Sequence, residues 1–169
     1  MADTMNSRPI LYVEDEENDI FFMERAFKEL GLSQPLKLAR DGQEAMDYLA
    51  GAHQFEDRTQ HPQPCLVLLD LNLPRKTGFD VLEWVRQQPE LHTLIVLVLS
   101  SSSQDQDIHH AYALGANAYL VKPPRADQLL EIVQVLNEFW LRKSRMPPDC
   151  SAFAKMERPM RFGFKAGER

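Results

Sequence analysis

Five short runs, mostly apolar and each ending at a polar or loop-forming residue, alternate along this chain with stretches of helical periodicity. The runs are Pro9-Ile-Leu-Tyr-Val-Glu14, Leu36-Lys-Leu-Ala39, Cys65-Leu-Val-Leu-Leu69, Leu94-Ile-Val-Leu-Val-Leu99 and Ala118-Tyr-Leu-Val121. The first and third are near-continuous apolar runs, the pattern of strands covered on both faces. A helix is predicted over about 17–30, with Ile20, Met23, Phe27 and Leu30 on one face and Gly31 closing it. Asp41 starts a second helix, with Ala45, Met46 and Leu49 inward and Gly51 at its end. Further helices are predicted over about 78–87 (Val81, Leu82 and Val85 inward), 104–114 and 125–143. The last buries Leu129, Ile132, Val133, Leu136 and Trp140. Residues 52–63 are polar and read as a loop long enough to be functional or mobile.

Strand and helix alternating five times predict an α/β fold, (βα)5, with one doubly wound, parallel, five-stranded sheet of the flavodoxin-like kind. In such sheets ligands bind beyond the carboxyl ends of the strands. Those ends carry Glu14 and Asp15 (first strand), Asp70 (third), Ser100 (fourth) and Lys122 (fifth). Strands do end where polar loops begin, but that accounts for one or two such residues rather than this set. Converging carboxylates repel one another and need a cation. An all-oxygen donor set open to solvent suits Mg²⁺. Asp70 is then a nucleophile that needs no general base. Lys122 and Ser100 are placed to neutralise, and to donate to, phosphate oxygens.

PILYVEDE (9–16), LVLLDLNLP (66–74), VLVLSSSS (96–103) and AYLVKPP (118–124) resemble the receiver domain of two-component response regulators over residues 8–143. The resemblance implies a phosphoacceptor rather than an enzyme, loaded by a histidine kinase on Asp70. It implies Mg²⁺ held by the side chains of Asp15 and Asp70 and the backbone carbonyl of Asn72, with Glu14 on the metal or on its water. Lys122 pairs with the phosphoryl group, and its bond to Pro123 is expected to be cis. Ser100 is the switch hydroxyl, with a shift of one residue to Ser101 left open, and Tyr119 is its aromatic partner. A half-buried strand tyrosine with no switching role is the other reading of Tyr119. Asn72 and Ser102 occupy positions that tune hydrolysis of the acyl phosphate. Neither is acidic, so a phosphorylated form lasting minutes or longer is expected.

The loop 52–63, DLNLPRKTGFDVL (70–82) and NEFWLRKSRMP (137–147) resemble more narrowly the stand-alone regulators paired with bacterial phytochrome kinases. Pro124 and the chain past Pro147 depart from that group. The narrower resemblance implies a phytochrome-type kinase as partner and a homodimer through the fourth helix, fifth strand and fifth helix. Ile108, Tyr112, Leu120, Leu130, Val135 and Phe139 are candidates for that face. Residues 1–143 are expected to form the receiver domain and 144–169 a flexible tail, with Phe153, Phe162 and Phe164 as possible docking residues.

The net charge is −6, and the basic residues concentrate from Arg142 onward, which leaves an acidic body unsuited to nucleic acid. No apolar run approaches the roughly 20 residues that span a bilayer, and a cytoplasmic protein is expected. Cys65 and Cys150 read as bystander thiols. His53, His61, His92, His109 and His110 are scattered and read as surface residues. Three rival readings remain at this point. A phosphohydrolase of the haloacid-dehalogenase type needs an acid two residues past the nucleophile, where Asn72 stands. A flavin carrier would have its phosphate repelled by the acid pair. A degenerate receiver acting as a scaffold is the third alternative.

Overall fold

A computed structural model describes residues 8–147. The elements follow in the order β1 (Ile10–Val13), α1 (Glu17–Glu29), β2 (Leu36–Ala39), α2 (Gly42–Ala50), β3 (Leu66–Leu69), α3 (Gly78–Gln87), β4 (Ile95–Ser100), α4 (Asp105–Ala113), β5 (Ala118–Val121) and α5 (Ala126–Leu136). The five strands form one parallel sheet in the order β2-β1-β3-β4-β5. The chain leaves β1 toward one edge and later returns to build β3 on its other side. The crevice between the carboxyl ends of β1 and β3 is therefore the topological switch point, where open α/β sheets bind ligands.

Every residue of β1 and β3 is buried, as continuous apolar runs demand of central parallel strands. Alternate side chains go to opposite faces. Leu11, Val13, Val67 and Leu69 pack with Ala45, Tyr48, Leu49, Val81, Leu82 and Val85 of α2 and α3. Ile10, Tyr12, Leu66 and Leu68 pack with Ile20, Met23, Phe27 and Val133 of α1 and α5. Asp41 caps α2 by accepting from the Glu44 N–H at 2.8 Å, and Gly51 ends it in the left-handed region at φ 66°. Thr77 and Asp80 form a capping box on α3. Arg86 of α3 donates to the carbonyls of Leu94, His92 and Gly115 and to Asn117 Oδ1, which ties α3 to the segment entering β4 and to the turn between α4 and β5.

Several expectations need correction. The segment 52–63, read as a polar loop, is anchored to the core. It forms a short 3₁₀ turn at His53–Phe55, and Phe55 is buried against Tyr48 and His61, with ring centroids 5.1 Å apart in both pairs. Arg58 donates to the Tyr48 and Leu49 carbonyls at 2.7 and 2.8 Å, closing the end of α2. Tyr48 takes the fully buried place on α2, and Met46 only flanks the core. The last helix is α-helical to Leu136 and continues as a wider π turn over Asn137–Lys143, closed by the Ser144 N–H on the Phe139 carbonyl at 2.7 Å. Residues 144–147 still belong to the packed body: Met146 lies against the α1/α5 core and Arg8 donates to the Pro147 carbonyl at 3.2 Å. Residues 148–169, including Cys150, Phe153, Phe162 and Phe164, lie outside the described residues. Cys65 is buried with a free thiol.

Because Phe55 anchors the 52–63 segment, Phe55→Ala is expected to cost about 3 kcal/mol. The urea midpoint read by far-UV circular dichroism checks this, as does faster proteolysis confined to the segment.

Candidate functional site

Register builds the site. Val13 pairs with Leu69, so the next residues, Glu14 and Asp70, leave adjacent strands side by side at the switch point. Ser100 pairs with Val121, which sets Lys122 one residue beyond the neighbouring strand end. Carboxylate oxygens of Glu14, Asp15 and Asp70 lie within 4.8 Å of one another. Lys122 Nζ reaches into this cluster and donates to Glu14 Oε2 at 2.5 Å, Asp19 Oδ2 at 2.7 Å and Asp70 Oδ2 at 2.8 Å. The Lys122–Pro123 bond was expected to be cis, but no cis peptide occurs among the described residues. The trans form is the intrinsically favoured one, and the lysine's four-carbon stem, starting at the end of β5, reaches the carboxylates from it.

Glu14 is fully buried. It also accepts from the Tyr12 hydroxyl at 3.0 Å and the Glu16 N–H at 3.1 Å. Burial pushes its carboxyl above the ordinary range, against the opposing pull of the Lys122 ammonium. Burial also pulls on Lys122, but its contacts to Asp19, Asp70 and Glu14 outweigh that and hold the ammonium above its ordinary pKa. Tyr12 is held protonated by burial and by the Glu14 charge. Asp70 is buried, and its Oδ1 accepts from the Asn72 N–H at 3.2 Å, while the Asn72 side chain is exposed.

The loop after β3 is clamped from below. Gly78 opens α3, and a Cβ there would overlap the Asp70 carbonyl and crowd Leu71 Cα. Its N–H donates to the Leu71 carbonyl at 3.0 Å. Gly42 opens α2 in the same manner beneath the Lys76 carbonyl. Arg75 takes a left-handed backbone at φ 66° between them and pairs with Asp41 at 3.2 Å.

Of the neighbouring serines, Ser100 is buried and Ser101 exposed. Ser100 Oγ accepts from the Ser102 N–H at 3.3 Å, and Ser102 Oγ donates to Asp107 Oδ2 of α4 at 2.6 Å. Tyr119 is partly buried beside Leu71, Val98 and Ala111, and its hydroxyl donates to the Ser102 carbonyl at 3.0 Å. The sequence-predicted residues Glu14, Asp15, Asp70 and Lys122 thus converge. Ser100 lines the neighbouring strand end and Tyr119 touches the loop that Ser100 also touches. Sequence reasoning missed Asp19 and Tyr12. Asp19 stands in the first turn of α1, the helix that directly follows the Glu14-Asp15 pair. Tyr12 stands two residues before Glu14, on the same face of the strand.

The donor set fits a hard divalent cation. Around the one ammonium stand four carboxylates (Glu14, Asp15, Asp19 and Asp70), with no sulfur or imidazole ligand in the cluster. A parallel α/β domain with this acid cluster and a lysine at its switch point is built to handle a phosphoryl group beside a metal. The comparisons with known proteins agree. The family model of the response regulator receiver domain matches residues 10–134. The response regulator Rcp1 of Synechocystis sp. is 36% identical over 148 residues, spanning 87% of this chain and 99% of Rcp1. The crystal structure of its Mn²⁺-bound form superposes with a TM-score of 0.76 at 35% identity, covering 83% of this chain and 99% of that one. The phosphorylated cyanobacterial phytochrome response regulator RcpA gives a TM-score of 0.79 at 37% identity, covering 84% and 99%. The chain belongs to the response regulator receiver family. It is a phosphoacceptor of two-component signalling, a class that takes its phosphoryl group from histidine kinases.

The raised carboxyl of Glu14 sets a pH dependence. Its folded pKa lies above the unfolded one, so its contribution to stability is fully present below the unfolded carboxylate range and is lost as pH rises through the folded value. Without divalent cation, the Glu14 contribution to stability is expected to grow on acidification across that window. Glu14→Gln is expected to flatten this part of the profile in urea titrations at stepped pH.

Proposed function

We propose that Asp70 is the phosphoacceptor of this receiver and that Lys122, Ser100 and Tyr119 register its phosphorylation. The observation that carries the proposal is the contact of Lys122 Nζ with Asp70 Oδ2 at 2.8 Å inside the carboxylate cluster. A carboxylate oxygen of Asp70 forms a bond to phosphorus as the bond from phosphorus to the donor imidazole breaks. Lys122 neutralises charge on the phosphoryl oxygens as they arrive. Glu14, Asp15, Asp70 and the Asn72 carbonyl would hold Mg²⁺, which supplies further charge neutralisation when bound. The manganese-bound form of Rcp1 supports a divalent cation here. No helix of the described residues is long and apolar enough to cross a membrane, in keeping with a cytoplasmic site of action.

The donor kinase we propose is of the phytochrome type, because RcpA, named as a phytochrome response regulator, is similar along nearly its whole length. The output is a shift of population. Ser100 turns toward the phosphoryl group, Tyr119 leaves the Ser102 carbonyl, and the α4–β5–α5 face changes. Tyr112, Val121, Val135 and Phe139 are exposed on or beside that face and suit a homodimer contact with Ile108 at their margin. Leu120 and Leu130 pack partly against the α1/α5 core and contribute less than the sequence suggested. The phosphoryl group persists for minutes or longer, since Asn72 carries no acid and the Ser102 hydroxyl is engaged by Asp107. Residues 1–143 act as the receiver domain, with 144–147 packed against it and the rest of the 144–169 segment following.

With Mg²⁺ and either acetyl phosphate or a phytochrome kinase, the native protein is expected to gain one phosphoryl group by intact-mass spectrometry. Asp70→Asn is expected to gain none, and Lys122→Ala to load at least about tenfold more slowly. Loading of the Asp70→Asn protein, or magnesium-independent loading of the native one, would overturn the assignment. Light scattering with and without beryllofluoride tests the dimer, which a monomeric mass in both states removes.

A further inference from the structure

The three N–H donors of Lys122 are spent on three carboxylates, and two of these, Glu14 and Asp70, belong to the metal-type cluster. The third is Asp19, at the third position of α1. An acid at that position ordinarily caps its own helix. In this chain Asp80 does so on α3, donated to by the Thr77 N–H at 2.8 Å, and Glu44 of α2 accepts from the Arg40 N–H at 2.6 Å. Asp19 does not: α1 has no side-chain cap at Glu16, and the Asp19 carboxylate crosses to β5 instead.

We propose that Asp19 is a positioning residue that holds Lys122 in the resting state and competes with the phosphoryl group for its ammonium. The inference rests on Asp70 being the acceptor. A lysine with all three protons engaged must release a partner before it can donate to a phosphoryl oxygen. Glu14 is fully buried, and on release it would keep only the Tyr12 hydroxyl and the Glu16 N–H, with no water to replace the ammonium. Asp70 is itself the group that reacts. The Asp19 side chain is 40% exposed, so water replaces Lys122 there at least cost. Asp19 is therefore the contact that exchanges, and its negative charge also stands near the incoming dianion. Both effects oppose loading and favour loss of the phosphoryl group.

The test is the rate of aspartyl-phosphate formation from acetyl phosphate with saturating Mg²⁺ across a salt series, followed by decay after the donor is removed. Asp19→Asn is expected to load about three- to fivefold faster than native at low salt, with the advantage shrinking as salt rises. Its phosphorylated form is expected to decay more slowly, and Asp19→Glu, which keeps the charge, to return both rates toward native. Asp19→Ala is a second neutral variant and is expected to follow Asp19→Asn. Neutral variants that load at the native rate with native salt dependence, or more slowly, overturn the inference while leaving Asp70 in place. Native protein that takes up no phosphoryl group, or an Asp70→Asn protein that does, instead overturns the assignment of the acceptor.

Discussion

One ammonium among four carboxylates is the interaction on which the rest of this structure depends. Lys122 joins the carboxyl ends of β1, β3 and β5 and the first turn of α1 through three contacts of 2.8 Å or less. A single cation cannot balance Glu14, Asp15, Asp19 and Asp70, and two of them are buried. Burial makes the imbalance worse, because a low-dielectric site strengthens repulsion as much as attraction. The protein keeps this charge excess at the place where its fold offers a crevice, and a divalent cation or a change in charge at Asp70 acts there with the greatest leverage. The Tyr12 hydroxyl beneath Glu14 belongs to the same arrangement: held protonated by its surroundings, it donates to a carboxylate that water does not reach.

The backbone supports the site by close approach. Gly42 and Gly78 open the two helices under the loop that follows Asp70, and neither position has room for a Cβ. The loop is thereby pressed onto the helix starts, with the Asp70 N–H bonded to the Val13 carbonyl at 3.1 Å and the Gly78 N–H to the Leu71 carbonyl at 3.0 Å. Capping box, strand pairing and close contact converge on the same few residues, so the Asp70 carboxylate is positioned by backbone more than by side-chain packing.

The fold and most of the site were legible in the sequence for one reason: the determinants are local. Apolar runs fix strands, polar residues mark their ends, and the strand ends of a doubly wound sheet fall together whatever the loops do. The five strands, the Asp41 and Gly51 caps and the grouping of Glu14, Asp15, Asp70 and Lys122 all follow from that rule. What escaped was tertiary. The order of 52–63 comes from Phe55 finding Tyr48 and from Arg58 reaching two carbonyls of α2, and nothing in a polar stretch announces either. The π turn after Leu136 keeps the apolar spacing of a helix while changing its hydrogen bonds. Asp19 escaped because an acid near a helix start has an ordinary explanation, which only the structure removes. The cis bond expected before Pro123 came from resemblance, and no cis bond occurs among the described residues.

The path outward from the site is short and polar. Ser102 is its hub: its N–H reaches Ser100 Oγ, its hydroxyl reaches Asp107 on α4, and its carbonyl accepts from Tyr119 on β5. Tyr119 in turn donates its N–H to the Tyr112 hydroxyl at 3.2 Å, so α4 and β5 are linked a second time. Helix α4 buries only Ala111, which leaves little apolar packing to hold it in place. An element held mainly by a few hydrogen bonds is a reasonable place for two arrangements of similar energy. A movement of Ser100 toward Asp70 would remove the acceptor of the Ser102 N–H and disturb the other contacts of that residue together. The coupling therefore requires no long chain of side chains, only the rearrangement of one loop residue that touches β4, α4 and β5 at once.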